Sequence, residues 1–304
     1  VYALVDRRQE RISAAENCTR TALLKAVVAG DPHTAAAAVD ALDPSARDAV
    51  LCSIASSVRS QRDPLFAEVA HAVGTNTRID RDLESRRWWV RRRALRRLAV
   101  LGSASERGMD LLTDRAPQVR AVAAEWYGYT ADPEAAAVRL VDMLGDADER
   151  VRARAMASLC MLGSAASPVL TAGLSSDDRG QLLATIRVIR ALGDKTAHRD
   201  VRPLIDHEDR EVMIEALRTI APTLTPADSE FLRDLIDHED PRVRRCATEV
   251  AGAAGLRDLV GPVAHRLDDP NGGVREVAIA SLDHLGSGGR LLLDRAARVG
   301  RLRG

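Results

Sequence analysis

The chain has 304 residues and a formal net charge of zero, 44 basic side chains standing against 44 acidic ones. Hydrophobic residues make up 46% of it and aromatic ones only 3%, so alanine, leucine and valine must supply the core. That is an alphabet of helix formers rather than of the aromatic and β-branched strands of a sandwich or barrel, and the charge balance excludes a uniformly basic nucleic-acid binder.

In chain order, Val1-Tyr2-Ala3-Leu4-Val5 runs straight into Asp6-Arg7-Arg8-Gln9-Glu10-Arg11. An apolar stub ending in arginines has the form of the cytoplasmic end of a membrane helix. A frayed helix turn in a chain that has lost its Met has the same form, and the two readings stay open. On the first reading the protein is cytoplasmic, anchored to the inner membrane through a segment upstream of Val1, with an anionic membrane as a partner of the N-terminus. Within the chain, no run of about 18 apolar residues marks a spanning helix.

Residues 1–79 read as an N-terminal helical cap of degenerate repeats. Four helices are expected, Ala14 to Ala29, Pro32 to Leu42, Pro44 to Arg59 and Pro64 to Val73, with Asp-Pro at 31–32, 43–44 and 63–64 as start signals. Gly74 to Asp80 reads as a polar turn and a hinge.

From residue 80 to 298 the sequence repeats itself. The apolar residue that heads one recurring helix is Val90, Val119, Val151, Leu182, Val212, Val243 and Val274, a period of about 31 residues. Around it stand an acidic turn, a Val-Arg pair, an alanine about four residues on, and a Leu-Gly ending, as in Val151-Arg152…Ala155…Leu159…Leu162-Gly163. Apolar residues at offsets 0, 4, 8 and 11 form one helix face, and Gly102, Gly163, Gly193 and Gly286 suit the left-handed residue that ends a helix. Asp114, Asp146, Asp178 and Asp269 are expected as caps. A second apolar helix lies between copies, so each copy is a pair of short antiparallel helices that must stack to bury its face. Trp126, seven residues after Val119, is expected in the core.

This pattern resembles the HEAT repeat, in the short bacterial form of phycobiliprotein-lyase-type proteins. The resemblance implies an all-α, right-handed α-α superhelix of the armadillo/HEAT type, with about seven clear repeats, helical caps and a tail at 299–304. It also implies an Asp–Arg ladder between copies. Arginine follows the heading residue in five of them (Arg91, Arg120, Arg152, Arg244, Arg275) and Leu183 and Met213 break the rule, so the ladder is expected to be interrupted mid-array.

The sharpest local feature is Arg86-Arg87-Trp88-Trp89-Val90-Arg91-Arg92-Arg93-Ala94-Leu95-Arg96-Arg97, seven arginines in twelve residues. With Val90, Ala94, Leu98 and Leu101 turned inward, Trp89, Arg92, Arg93 and Arg96 share an outward face. The resemblance places that face on the concave side of the superhelix. Trp89, Arg92, Arg93, Arg96 and Arg97 are therefore the candidate binding residues, cationic anchors for a protein with an acidic surface. Nucleic acid is the less favoured occupant, through a resemblance to HEAT-like DNA glycosylases that residues 141–240, with a net charge of −7, oppose.

Asp206-His207-Glu208-Asp209 recurs as Asp237-His238-Glu239-Asp240. The HEAT-like deoxyhypusine hydroxylases hold two irons on four His-Glu pairs inside helices, whereas these two pairs lie in turns, so a metalloenzyme is a remote alternative and no metal or cofactor is expected. Cys18, Cys52, Cys160 and Cys246 lack C-x-x-C spacing and are expected as buried free thiols in a reducing compartment. The expected function is a non-catalytic, protein-binding scaffold.

Overall fold

The computed structural model describes residues 17–57 and 64–298, all of whose regular structure is helical. The N-terminal stub and the 299–304 tail lie outside the described residues. The chain divides into two compact units, Val1–Leu162 and Gly163–Gly304.

The first unit opens with α1 (residues 17–29), α2 (Pro32–Asp40), α3 (Pro44–Ser57) and α4 (Pro64–Ala72). The first two Asp-Pro signals act as expected, and Asp63 lies outside the described residues. Asp31 accepts the N–H groups of His33 and Thr34 at 3.0 and 3.2 Å, Asp43 those of Ser45 and Ala46, and the proline at the first helical position sacrifices no hydrogen bond. The expected polar turn at 74–80 is instead the start of α5 (Thr75–Leu83), entered through Gly74 at φ 69°. Its composition is polar, but Thr75, Ile79 and Leu83 fall on one buried face. The segment is also pinned to α3, where buried Asp48 accepts from Thr75 Oγ1 at 2.8 Å and Arg78 Nη2 at 2.6 Å.

Then come α6 (Trp88–Leu101), α7 (Glu106–Asp110), α8 (Pro117–Thr130), α9 (Pro133–Asp142) and α10 (Glu149–Leu162). The second unit holds α11 (Ser167–Gly173), α12 (Arg179–Leu192), α13 (Lys195–Val201), α14 (Arg210–Ile220), α15 (Ser229–Ile236), α16 (Pro241–Ala253), α17 (Val260–His265), α18 (Gly272–His284) and α19 (Ser287–Arg298). The second helices of the seven copies are the even-numbered ones from α6 to α18. Within each unit they pack side by side, α6 on α8 on α10, and α12 on α14 on α16 on α18. Trp126 of α8 is buried, its indole N–H donating to the Ser103 carbonyl at 2.9 Å.

One register differs from the sequence reading. The fourth copy is headed by Gln181, not Leu182. Asp178 caps α12 three residues before Gln181 and accepts its N–H at 2.7 Å, as Asp240 stands before Val243 and Asn271 before Val274. Gly193 ends the helix at φ 65°, twelve residues after Gln181, as Gly102 does after Val90. A polar residue in the heading position beside an apolar neighbour hid the register.

The corrected register reveals the turn chemistry. Five residues before each heading residue from Val119 onward stand Asp114, Asp146, Ser176, His207, His238 and Asp269, and each accepts the N–H two residues on, at 2.8–3.2 Å. Asp114, Asp146 and Asp269 therefore close the turn rather than cap the helix, and only Asp178 of the four expected caps is one.

Three of these carboxylates also complete buried rungs. Arg91 donates Nε and Nη2 to Asp114 at 2.6 and 2.8 Å, Arg120 to Asp146 at 2.7 and 2.7 Å, and Arg244 to Asp269 at 2.8 and 2.9 Å. The remaining Nη1 of each donates to a carbonyl six residues earlier. Burial pushes the three carboxyls up, but the guanidinium and the turn N–H outweigh it and hold them below the usual carboxylate range.

The expected interruption takes a definite form. Leu182 and Met213 occupy the arginine position, and the turns that follow them carry His207 and His238, neutral acceptors in place of a carboxylate. The charge pair moves outward, to Arg179–Asp209 at 2.6 Å and Arg210–Asp240 at 3.5 Å. Those arginine side chains are 60% and 44% exposed, against 8% and 10% for Arg91 and Arg244, so water screens the outer rungs and not the inner ones.

Neighbouring second helices also meet through small residues. A Cβ at Gly128 would lie 2.8 Å from Ser158 Cβ, and one at Gly252 would lie 2.7 Å from Ser281 Cα. At the end of the array α19 starts at Ser287, and its Gly289 packs directly on the Leu282 backbone. By length and composition one helical stretch, Glu149–Gly173, could cross a membrane; Gly163, at φ 62°, interrupts it. Of the cysteines only Cys246 is buried, its thiol pushed up to about 12 by burial, while Cys18 is exposed. Cys52 and Cys160 are half-buried on α3 and α10, so one of the four thiols meets the expectation of burial.

Candidate partner-binding surface

α6 is built as an amphipathic helix whose buried stripe is Arg91, Ala94, Leu95, Leu98 and Leu101. Val90, expected inward, is half-buried at the edge of that stripe. Arg91 lies inside it because Asp114 neutralises it, so the stripe carries no uncompensated charge. What remains outward is Trp89, 54% exposed, with Arg93 and Arg96. Among the described residues, neither Arg93 nor Arg96 has a carboxylate within 4.0 Å.

The other two candidates are differently placed. Arg97 is half-buried and points to Asp82 of α5 at 3.8 Å, so its charge is partly spent within the protein. Arg92 lies over the Trp88 ring at 5.8 Å. Trp88 itself meets Trp89 edge-on, centroids 6.1 Å apart and planes at 88°, and Arg87 lies over Trp89 at 5.8 Å. The result is a chain of stacked groups, Arg87–Trp89–Trp88–Arg92, in which each cation faces an aromatic quadrupole. The sequence reading left Trp88 and Arg87 out of the site; the i, i+4 spacing of Trp88 and Arg92 was the available signal.

The stack matters because it fixes two large rings at the surface. An exposed tryptophan normally costs rotamer freedom when it binds, and a ring already held by an arginine loses less. No acidic residue occupies the first turn of α6, so the positive end of the helix adds to the arginines.

The corresponding surface of the second unit is charge-compensated. Glu215 of α14, buried, takes Arg190 at 2.6 Å and Arg187 at 3.3 Å, with Arg218 at 3.9 Å. Arg202 pairs with Asp228, and Arg210 with Glu239. Much of the acidity of residues 141–240 is thus neutralised locally. His207 and His238 use Nδ1 as turn acceptors.

A model of HEAT repeats matches residues 105–185 and 204–283, more than half of the chain. The chain belongs to the HEAT-repeat family. Among solved structures it is similar to Kap121p, at 12% identity and a TM-score of 0.57, over 92% of this chain and 39% of that one. It is also similar to importin beta, at 11% identity and a TM-score of 0.50, over 83% and 41% of the two chains. The complex of CpcE and CpcF of phycocyanin lyase from Nostoc sp. PCC7120 matches at 20% identity and a TM-score of 0.36, over 72% and 92%. No curated protein matches the chain in sequence. The likenesses to Kap121p and importin beta show the all-α HEAT solenoid fold.

Proposed function

We propose that the protein is a non-catalytic scaffold that holds an acidic protein partner on the outward face of α6. The observation that carries this reading is the pairing of Arg93 and Arg96, exposed and, among the described residues, without a carboxylate of their own, with an exposed tryptophan held in place by stacking. Tryptophan and arginine are the residues in which binding energy concentrates at protein interfaces. Arg97 and Arg92 act in support, the first through Asp82 and the second through Trp88. With the N-terminal stub read as the end of a membrane helix, the partner would be held at the inner face of a membrane.

The test reverses the two free charges. Arg93→Glu with Arg96→Glu, neither of which is buried, should abolish capture of the cellular partner while the helical circular-dichroism signal stays unchanged. Undiminished capture by the double variant would overturn the proposal. Salt-dependent binding of nucleic acid by the unaltered protein, without any protein partner, would replace it with the nucleic-acid reading.

A further inference from the structure

Trp89, Arg93, Arg96 and Val100 follow one another at steps of four, three and four residues, and so form one stripe along α6. At its Val100 end the stripe enters an open groove of ≈ 280 Å³, lined by Ala55 and Ser56 of α3, Ala99 and Val100 of α6, and Glu125 and Tyr129 of α8. Two polar groups of its walls are already engaged. Ser56 Oγ donates to the Cys52 carbonyl at 2.6 Å, and Glu125 pairs with Arg154 of α10 at 3.4 Å. The groove has room for a side chain of a partner, and Ala55, Ala99 and Val100 form its apolar wall.

Resting on the proposed reading of the arginines, we infer that this groove is the specificity pocket of the same surface. Its occupant is an extended acidic segment of the partner protein, with carboxylates on Arg93 and Arg96 and one apolar side chain in the groove. The spacing follows from geometry. Val100 lies four residues beyond Arg96 and seven beyond Arg93, about 6 and about 10 Å along the helix at 1.5 Å per residue. An extended chain advances roughly 3.3–3.6 Å per residue. Side chains of an extended chain alternate between its faces and those an even number apart share one, so the apolar residue of the ligand stands two residues from one acid and four from the other. A nucleic acid would bring phosphates to the arginines and a planar base to the groove, so dependence on an aliphatic side chain separates the two occupants.

The experiment uses an array of nine-residue peptides, each with two glutamates two residues apart and one leucine at every separation from them, with serine elsewhere. The array is probed with the labelled full-length chain. Binding should peak where leucine is two residues from the nearer glutamate, fall at least tenfold when leucine becomes serine, and lose its leucine dependence in Ala99→Phe, which fills the groove. Should that variant fail to fold, Val100→Asn removes the apolar lining instead. Binding that needs the glutamates but is indifferent to leucine overturns the pocket and leaves the acidic-partner reading standing. Binding indifferent to the glutamates overturns both.

Discussion

Arg244 holds Asp269 by two nitrogens, at 2.8 and 2.9 Å, and the carboxylate is fully buried between them and the Asn271 N–H. Removing one partner of such a pair strands the other, which typically costs about 3–5 kcal/mol. Arg244→Leu should therefore lower stability by about 3 kcal/mol in urea denaturation at neutral pH. Replacing the turn acceptor His238 by alanine deletes one neutral hydrogen bond and should cost about 1 kcal/mol. Equal effects would show that the buried charge is not what the rung contributes.

The two kinds of turn predict a rescue. Met213→Arg places an unpaired cation where the next turn offers only His238, and His238→Asp places a carboxylate opposite Met213. Each alone should destabilise. Together they rebuild the geometry seen at Arg244 and Asp269, with a coupling energy of about 1–3 kcal/mol in a double-mutant cycle. Additive losses would refute the correspondence between the arginine and turn positions.

Acid should act through the rungs. Asp114, Asp146 and Asp269 are held below the usual carboxylate range against the opposing pull of burial. A carboxylate whose folded value is depressed contributes stability that is fully present above its unfolded value of about 3.9 and lost as pH falls through the folded value. The urea midpoint should stay level from neutral pH down to about 5 and fall below about 4. Asp269→Asn should flatten part of that fall, and an unchanged acid limb in this variant would place the sensitivity elsewhere.

Glycine substitutions should differ in sign. At Gly252 a Cβ meets the Ser281 backbone at 2.7 Å, whereas at Gly261 nothing lies within 4 Å. Gly252→Ala forces α16 and α18 apart, an overpacking worth about 1–3 kcal/mol. Gly261→Ala, within α17, should stabilise by roughly 0.4–1 kcal/mol by restricting the unfolded chain. Thermal unfolding of the two variants, measured side by side, decides whether close helix approach is the reason for the first glycine.

The repeat architecture was legible because seven copies carry the same period, and a helix pair that cannot bury its own face has to stack. The fourth register was not, because Gln181 is polar where its counterparts are valines and only the Asp178 cap fixes the frame. Residues 74–80 looked like a hinge because their buried members, Thr75 and Ile79, are few and the carboxylate that pins them comes from α3. In the site, the exposure of Arg93 and Arg96 follows from helical spacing alone. The tie between Arg97 and Asp82 and the groove against Ala55 do not, since both depend on contacts with helices outside the repeating pattern of α6.

Each buried rung joins an arginine of one copy to a carboxylate at the start of the next, so the splice points of the array are constrained by what they bring together. Excising residues 207–237 would follow the copy of Leu182 with the His238 turn, like joined to like. Excising residues 238–268 removes the same length but sets Asp269 behind Met213, burying a carboxylate with no cation. Recombination between copies, natural or engineered, is thereby confined to exchanges that keep donor and acceptor in phase.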